Sequence, residues 1–216
     1  MSSVKWGRAV VVGAVAAIAV VPSVSATAAP SDETGAYAGM TQAQARARLD
    51  ADIAQALAHR AGGVRTGANE VEWQDGEGGK AVEVFPLPAS LEAQMPGKQP
   101  REVSYRFGCP YGWTPGSAWY CFYENSNFNG VAESGQSGPG NGRMLKWSNW
   151  HGVTDLGDWN FRDKVSSWVN KTSYKIEVGD YAVAPNYYRL WIENGNQAMG
   201  YVGDQANDRA DFFRMV

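Results

Sequence analysis

Residues 122–130 read FYENSNFNG, in which Tyr123 is followed by Phe128 and then by Gly130. We call this spacing, two aromatic residues five positions apart with a glycine two positions further on, the aromatic corner. A short acidic and hydroxyl-bearing segment, RDKVSS at residues 162–167, follows downstream. Together the two segments predict a hairpin-rich β domain, and they tell more about the fold than about the activity.

The region from residue 101 to residue 216 has the composition of an all-β domain. Seven of the eight tryptophans beyond residue 28 lie in it, within short aromatic segments separated by Gly, Asn and Asp. Regularly spaced strands without intervening helices are typical of a sandwich or a Greek-key barrel. The predicted strands cover residues 103–107, 118–124, 144–148, 165–170, 174–178, 187–193 and 199–202.

An internal repeat supports this fold class. FYENSNFNG resembles WIENGNQAMG at residues 191–200, and RDKVSS resembles NDRADF at residues 207–212. We therefore expect two related halves that bury each other's apolar faces.

Residues 121–172 resemble the secreted bacterial metalloproteinase-inhibitor family, whose members have a βγ-crystallin-like fold. The resemblance lies in CFYENSNFNG, in LKWSN at 145–149 and in FRDKVSSWVNKT at 161–172. It implies a Greek-key sandwich over residues 101–216 that inhibits an extracellular metalloprotease. Because a fold does not determine a function, the alternative is a calcium-binding or glycan-binding module without inhibitory activity.

The resemblance also implies a calcium motif: two Asn or Asp residues, two free positions and two hydroxyl residues. In the first copy Asp163, Ser166 and Ser167 match this pattern, but Arg162 replaces the leading acid. An arginine at that position would repel the ion.

The second copy of the calcium motif departs at its other end. Asn207 and Asp208 match, whereas Asp211 and Phe212 replace the two hydroxyl residues. We therefore expect these segments to cap strands and turns, with a calcium site as the alternative and no other cofactor. The ligands that the resemblance implies for that site are Asp163, Ser166, Asn207, Asp208 and Asp211.

The two cysteines, Cys109 and Cys121, predict a disulfide, since we expect an exported chain to reach an oxidising compartment. The bond would close the loop CPYGWTPGSAWYC, which its prolines restrict. Within the loop, Tyr111 and Trp113 are aromatic anchors of the kind that dominate interfaces. This is the candidate inhibitory loop; the simpler interpretation is a stapled hairpin whose aromatic residues pack on the domain.

Residues 1–28 have the pattern of a cleaved secretory signal. Lys5 and Arg8 precede an apolar run over residues 9–21, and small residues follow at 26–28. We expect secretion after cleavage at Ala28, with no membrane anchor in the mature chain. Removal of this segment leaves 17 basic and 22 acidic residues, a net charge of −5, which argues against a nucleic-acid partner.

The segment that follows predicts a leader and a helix. Residues 29–39 are small and polar, which is typical of a disordered segment. Thr41 and Gln44 form a capping-box pattern, and the alanine-rich sequence favours a helix through His59.

A hairpin and a linker come next. Residues 70–73 and 81–85 alternate apolar with polar side chains around a glycine-rich turn, which predicts a hairpin. Because so few apolar residues make a marginal core by themselves, residues 40–90 either pack on the C-terminal domain or act as a prosegment. Four prolines and a glycine indicate a linker at residues 91–100 and just before it.

The sequence gives little support to an enzyme. Its only histidines are His59 and His151, and no known hydrolase or phosphate-binding motif is present. A cell-wall glycan is the other candidate partner, because aromatic rings stack on sugars, although we expect most of the tryptophans to lie in the core. The aromatic residues considered for this role are Trp147, Trp150, Trp159, Tyr187 and Tyr188.

Overall fold

The computed structural model describes residues 35–75, 77–88, 91, 104–111, 119–133, 140–150, 152–183 and 186–216. The predicted signal, and the predicted linker apart from Leu91, lie outside these residues. The described strands are β1 (Val64–Arg65), β2 (Glu70–Gln74), β3 (Lys80–Val84), β4 (Ser104–Arg106), β5 (Cys109–Tyr111), β6 (Tyr120–Tyr123), β7 (Met144–Ser148), β8 (Val153–Asp155), β9 (Ser167–Asn170), β10 (Ile176–Val183), β11 (Asn186–Glu193), β12 (Gln197–Met199) and β13 (Phe212–Met215).

The helix predicted from the capping box is present as α1 (Gln42–His59). The N–H of Gln44 donates to the Thr41 hydroxyl (3.3 Å), and the N–H of Thr41 donates to the Gln44 side chain (2.9 Å). Leu49 and Ile53 are buried on one face of the helix. Among the described residues, no helix has the length and apolar character needed to cross a membrane.

The described end of the predicted leader is ordered. Residues Gly35–Tyr37 form a 3-10 turn, and the Tyr37 ring is buried. Its hydroxyl donates to the Pro86 carbonyl (2.9 Å). The sequence-based expectation of disorder over 29–39 did not anticipate this contact, because composition cannot show that one aromatic side chain finds a distant pocket.

The strands form two main sheets and a separate hairpin. The seven-stranded sheet has the order β1-β2-β3-β7-β6-β9-β12, the four-stranded sheet has the order β11-β10-β13-β8, and β4 pairs with β5. From β6 onward the chain divides into a first half, β6 to β9, and a second half, β10 to β13. Each main sheet takes three strands from one half and the third strand of the other. This exchange confirms the predicted all-β Greek-key sandwich.

The predicted internal repeat is confirmed for one pair of segments, which hold equivalent positions in the two halves, and is wrong for the other pair. RDKVSS leads from β8 to the first residue of β9, and NDRADF leads from β12 to the first residue of β13, which are equivalent positions. FYENSNFNG, however, begins at the end of the first strand of its half, whereas WIENGNQAMG begins at the end of the second strand of its half and runs through the third. The two sequences are alike because each contains a tight turn with a left-handed asparagine, Asn127 at φ +51° and Asn196 at φ +58°.

The helix and hairpin pack on the Greek-key strands. β3 pairs antiparallel with β7, from Lys80 opposite Ser148 to Val84 opposite Met144, so the hairpin extends the seven-stranded sheet. Leu49 of α1 lies in the same apolar cluster as residues of both sheets. Removal of these residues as a prosegment stays a prediction.

Two apolar clusters lie on opposite faces of the seven-stranded sheet. The larger one joins this sheet to the four-stranded sheet and α1, with Trp147 and Phe213 among its members. The smaller one lies on the other face, where Cys109 and Phe107 from the β4–β5 hairpin pack near Val169.

Candidate functional site

The aromatic corner after β6 brings its two aromatic rings into contact. Tyr123 and Phe128 pack edge to face, with ring centroids 5.6 Å apart and an interplanar angle of 82°. Asn127, Phe128 and Asn129 adopt left-handed backbone angles, and Gly130 closes the corner at φ +77°. Because left-handed angles cost ordinary residues roughly 1–2 kcal/mol each, packing of the rings is needed to hold the corner.

Two serines at the start of β9 tie this corner to the sheet. The Ser166 hydroxyl donates to the Glu124 carbonyl (2.9 Å), and the Ser167 hydroxyl donates to the Asn125 carbonyl (2.7 Å). Ser167 also accepts from the N–H of Phe128 (3.1 Å). Both serines therefore have the turn-capping role that the sequence favours.

Segments from both halves meet in a cleft beside the aromatic corner. We call this cleft the first corner. It is formed by the connection after β6, the segment between β8 and β9, and the segment between β12 and β13. Four of the five predicted calcium ligands lie in it, and only Asp211 does not. The lining residues are Glu124, Asn125, Ser126, Asp163, Lys164, Ser166, Tyr201, Asn207 and Asp208.

Asn207 brings an unpaired oxygen to the first corner. Its Nδ2 donates to Asp208 Oδ2 (2.6 Å), but its Oδ1 is buried without a hydrogen-bond partner among the described residues. Asp163 and Asp208, the second residues of the two motifs, have left-handed angles of φ +56° and +54°. The cleft thus combines two carboxylates with an amide oxygen that has no donor in the described part of the chain, and a buried acceptor of this kind normally has a partner.

The fifth predicted ligand, Asp211, lies in a different group, which we call the second corner and which consists of Asp155, Arg162, Tyr181 and Asp211. Asp211 Oδ2 accepts from the N–H of Tyr181 (2.7 Å), and Asp211 Oδ1 lies 3.2 Å from Arg162 Nε. Arg162 Nη2 also donates to Asp155 Oδ1 (2.7 Å). Burial raises the pKa of Asp211, and the Tyr181 N–H and Arg162 oppose this shift.

The five candidate ligands are thus divided between two groups, and Arg162 lies with Asp211 in the second corner. A motif that is continuous in sequence is divided here, because the third strand of each half crosses to the other sheet. The first corner consequently combines Ser166 of the first motif with Asn207 and Asp208 of the second.

A second cleft, of about 280 Å³, lies between α1 and the first half. Arg143 donates to Glu83 (2.9 Å) and to the Asn160 carbonyl (2.7 Å) beside it. Burial raises the pKa of Glu83 to about 7, although Arg143 opposes the shift. Lys164 lines both clefts, and burial, followed by repulsion from Arg143, lowers its pKa. Lys164 is the cation that a metal ion in the first corner would face.

The predicted disulfide is formed. Cys109 of β5 and Cys121 of β6 are fully buried, with Cα atoms 5.9 Å apart. Both ends of the candidate inhibitory loop are therefore fixed on strands. Of its proposed anchors, Tyr111 is the last residue of β5, whereas Trp113 lies outside the described residues.

The aromatic residues considered for glycan stacking divide into two groups. Trp147, Trp150 and Trp159 are 0%, 7% and 2% exposed, as expected of core residues. Tyr187 and Tyr188 on β11 are 41% and 62% exposed. The three tryptophans have no free ring face for a sugar, so glycan binding would depend on the tyrosines.

The described residues offer little for catalysis. His59 Nε2 lies 2.8 Å from the Gly157 carbonyl, and His151 falls outside the described part of the chain. Within that part, no group of three or more His, Cys, Asp or Glu side chains is placed to hold a metal ion. An ion in the first corner would therefore need amide, hydroxyl and backbone oxygens in addition to carboxylates.

Comparisons with known proteins give a likeness at the level of the fold. No protein-family profile matches the chain, and no curated protein matches it. It is similar to the structure of a βγ-crystallin domain from Clostridium beijerinckii, at 17% identity over 44% of this chain and 94% of that one, with a TM-score of 0.30. It is also similar to a clostrillin double mutant in complex with nickel, at 17% identity over 45% and 95%, with a TM-score of 0.30. At these values the strand order, and not the likeness, carries the argument for the fold.

Proposed function

We propose that the chain is a secreted, non-catalytic βγ-crystallin-like module that binds calcium in the first corner. The observation that carries the proposal is the buried Oδ1 of Asn207, which has no hydrogen-bond partner among the described residues and lies in a cleft with two carboxylates. Calcium binds six to eight oxygen ligands and tolerates irregular geometry. An ion there would satisfy an acceptor that is otherwise left without a donor.

The donor set fits calcium better than a transition metal. Asp163, Asp208, Asn207 and Ser166 supply hard oxygen atoms, and no histidine or cysteine is among the lining residues. The Lys164 ammonium lines the same cleft and opposes a cation. Weak binding is therefore expected, in the range of about 10⁻⁴ to 10⁻³ M that is typical of extracellular modules.

Thermal unfolding with calcium or with a chelator tests this function. At a calcium concentration 100 times the dissociation constant, a native-state ligand stabilises by about 2.7 kcal/mol, which corresponds to an increase in Tm of roughly 5–11 °C for a chain of this size. We expect Asp208→Ala to abolish the increase.

Asp158→Ala is the matched control, because Asp158 pairs with Arg60 away from the cleft, and it should keep the full increase. A wild-type Tm that is the same in calcium and in chelator would contradict the proposal.

Inhibition of an extracellular metalloprotease is the second candidate function. One observation favours it: the disulfide holds both ends of the loop, since Cys109 and Cys121 are fully buried. A loop with fixed ends loses less conformational entropy when it enters a protease cleft. The fold likeness does not bear on this activity.

A panel of zinc and serine proteases tests inhibition, with calcium in excess so that chelation is not mistaken for inhibition. Selective inhibition of zinc enzymes, weakened by Trp113→Ala with little change in Tm, is the expected result. Undiminished inhibition together with a lower Tm would assign Trp113 to packing, and no inhibition of any zinc enzyme would reject this candidate.

A further inference from the structure

The two corners are structural equivalents. The N–H of Ser166 donates to the Tyr123 carbonyl at the end of β6 (3.0 Å), and the N–H of Asp211 donates to the Gly179 carbonyl in β10 (2.9 Å). In both cases the donor precedes the fourth strand of a half and the acceptor lies in the first strand of the same half. Asp211 therefore occupies in the second half the position of Ser166 in the first.

The segments that approach each corner from the opposite half are equivalent as well. The Ser166 carbonyl accepts from the N–H of Val202 (3.0 Å), and the Asp211 carbonyl accepts from the N–H of Leu156 (2.7 Å). Each of these donors lies between the third strand of one half and that half's motif. A segment of the second half thus completes the first corner, and a segment of the first half completes the second.

Because the two corners are equivalent, Arg162 has a counterpart in the second motif, which is Asn207. Asp163 and Asp208 have the same left-handed angle, at φ +56° and +54°. The residues before them, Arg162 and Asn207, therefore hold corresponding positions. The first corner receives an amide oxygen at this position, whereas the second corner receives a guanidinium.

The surroundings of Arg162 are those of a bound cation. Its guanidinium contacts Asp155 (2.7 Å) and Asp211 (3.2 Å), and its carbon atom lies 5.6 Å from the centroid of the Tyr181 ring. The Asp211 side chain is 9% exposed, so its charge has little compensation from water. An arginine stays charged at all ordinary pH values and bonds carboxylates in a fixed planar geometry.

We propose that the Arg162 guanidinium is a built-in cation, which fills the second corner in place of an exchangeable ion. The proposal rests on the proposed function only for its comparison with the first corner, which is the equivalent site without an arginine in it. Two carboxylates then hold a positive charge that cannot dissociate, and a calcium ion would have to displace a covalently attached competitor. The protein consequently binds one calcium ion and not two.

Calorimetric titration with calcium tests this proposal on the wild-type protein and on Arg162→Asn and Arg162→Lys. We expect one ion for the wild type and one additional ion for Arg162→Asn, since asparagine restores an oxygen at the equivalent of Asn207. Arg162→Lys keeps a cation in the corner and should gain no ion. Arg48→Asn, which breaks the Arg48–Asp52 pair on α1, is the matched control and should bind as the wild type does.

A second ion on the wild-type protein would overturn the proposal even if Arg162→Asn failed to fold. An Arg162→Asn protein that binds no more calcium than the wild type would overturn it too. If the wild type binds no calcium and Arg162→Asn binds one ion, the proposed function fails and the assignment of Arg162 stands.

Discussion

The two main sheets of the molecule differ in how they are covered. Phe122 and Trp147 of the seven-stranded sheet lie in the core shared with the four-stranded sheet, and Cys121 on its other face lies in the cluster with the β4–β5 hairpin. The four-stranded sheet buries only one face in the core. On its other face Tyr181 and Tyr187 remain 42% and 41% exposed.

This difference shows what the additional elements do. α1, the β2–β3 hairpin and the disulfide-linked β4–β5 hairpin all pack against the seven-stranded sheet or extend it. They stabilise one side of the sandwich and leave Asp163 and Asp208 at the corners exposed to solvent. Stability and the proposed calcium binding would then depend on different parts of the chain.

The two sheets should differ most in the free energy of unfolding that is lost when an aromatic side chain is removed. Phe128, which is 9% exposed and stacks on Phe107 at 3.7 Å between ring centroids, lies in the covered cluster. Phe128→Ala should lower the free energy of unfolding by about 3–5 kcal/mol.

Tyr187→Ala is the matched substitution on the open face and should cost about 1 kcal/mol, the worth of its contact with Phe212. Urea denaturation of both variants checks the pair. Equal losses would mean that the two sheets are covered to the same extent.

Removal of the disulfide should rank second. Cys109→Ala combined with Cys121→Ala opens a loop of sequence separation 12 and should cost about 3 kcal/mol in the chain-entropy model. The measurement is Tm, compared with that of the reduced wild-type protein. A reduced wild type that is as stable as the oxidised one would show that the cover over this sheet does not need the bond.

How far the sequence predicts this molecule depends on whether a feature is local. The capping box of Thr41 and Gln44, the hairpin before residue 85 and the corner from Tyr123 to Gly130 are set by neighbouring residues, and all are confirmed. β8 was not predicted, because three residues show no periodicity.

The division of the calcium candidates could not be predicted, because it depends on long-range topology. Ser166 and Asp211 belong to motifs that look alike in sequence, and they lie in different corners because each bonds to the first strand of its own half. The pairing of Arg162 with Asp155 is likewise a consequence of folding and not of spacing.

The free energy of unfolding should depend on pH through the buried carboxyl of Glu83, which lies where the β2–β3 hairpin joins the Greek-key strands. Burial raises the pKa of Glu83 from its usual 4.5 to about 7, so the folded state holds this proton more tightly than the unfolded state. Stability from this group is fully present below pH 4.5 and is lost as the pH rises to about 7, a total of about 3 kcal/mol.

Glu83→Gln should flatten the stability profile in this window, as measured by denaturation at several pH values. Glu193, whose pKa burial also raises, should contribute with the same sign in both proteins. An unchanged slope in Glu83→Gln would show that Glu83 is ionised in the folded protein.

A smaller effect than those of Phe128, the disulfide and Glu83 is expected from the glycine of the aromatic corner. Gly130 has φ +77°, and a Cβ there would have no atom within 4 Å, so Gly130→Ala should cost only the left-handed backbone penalty of about 1–2 kcal/mol. Gly67→Ala, where a Cβ would make ordinary contacts, is the control and should be nearly neutral. Equal effects of the two substitutions on Tm would remove the special role of the corner glycine.

The most direct test of the central claim is a crystal structure of the calcium-loaded protein. We expect one ion in the first corner, contacting Asn207 Oδ1 and Asp208, with the Arg162 guanidinium still between Asp155 and Asp211 in the second. An ion in the second corner, or a calcium-saturated crystal with none in the first, would contradict it.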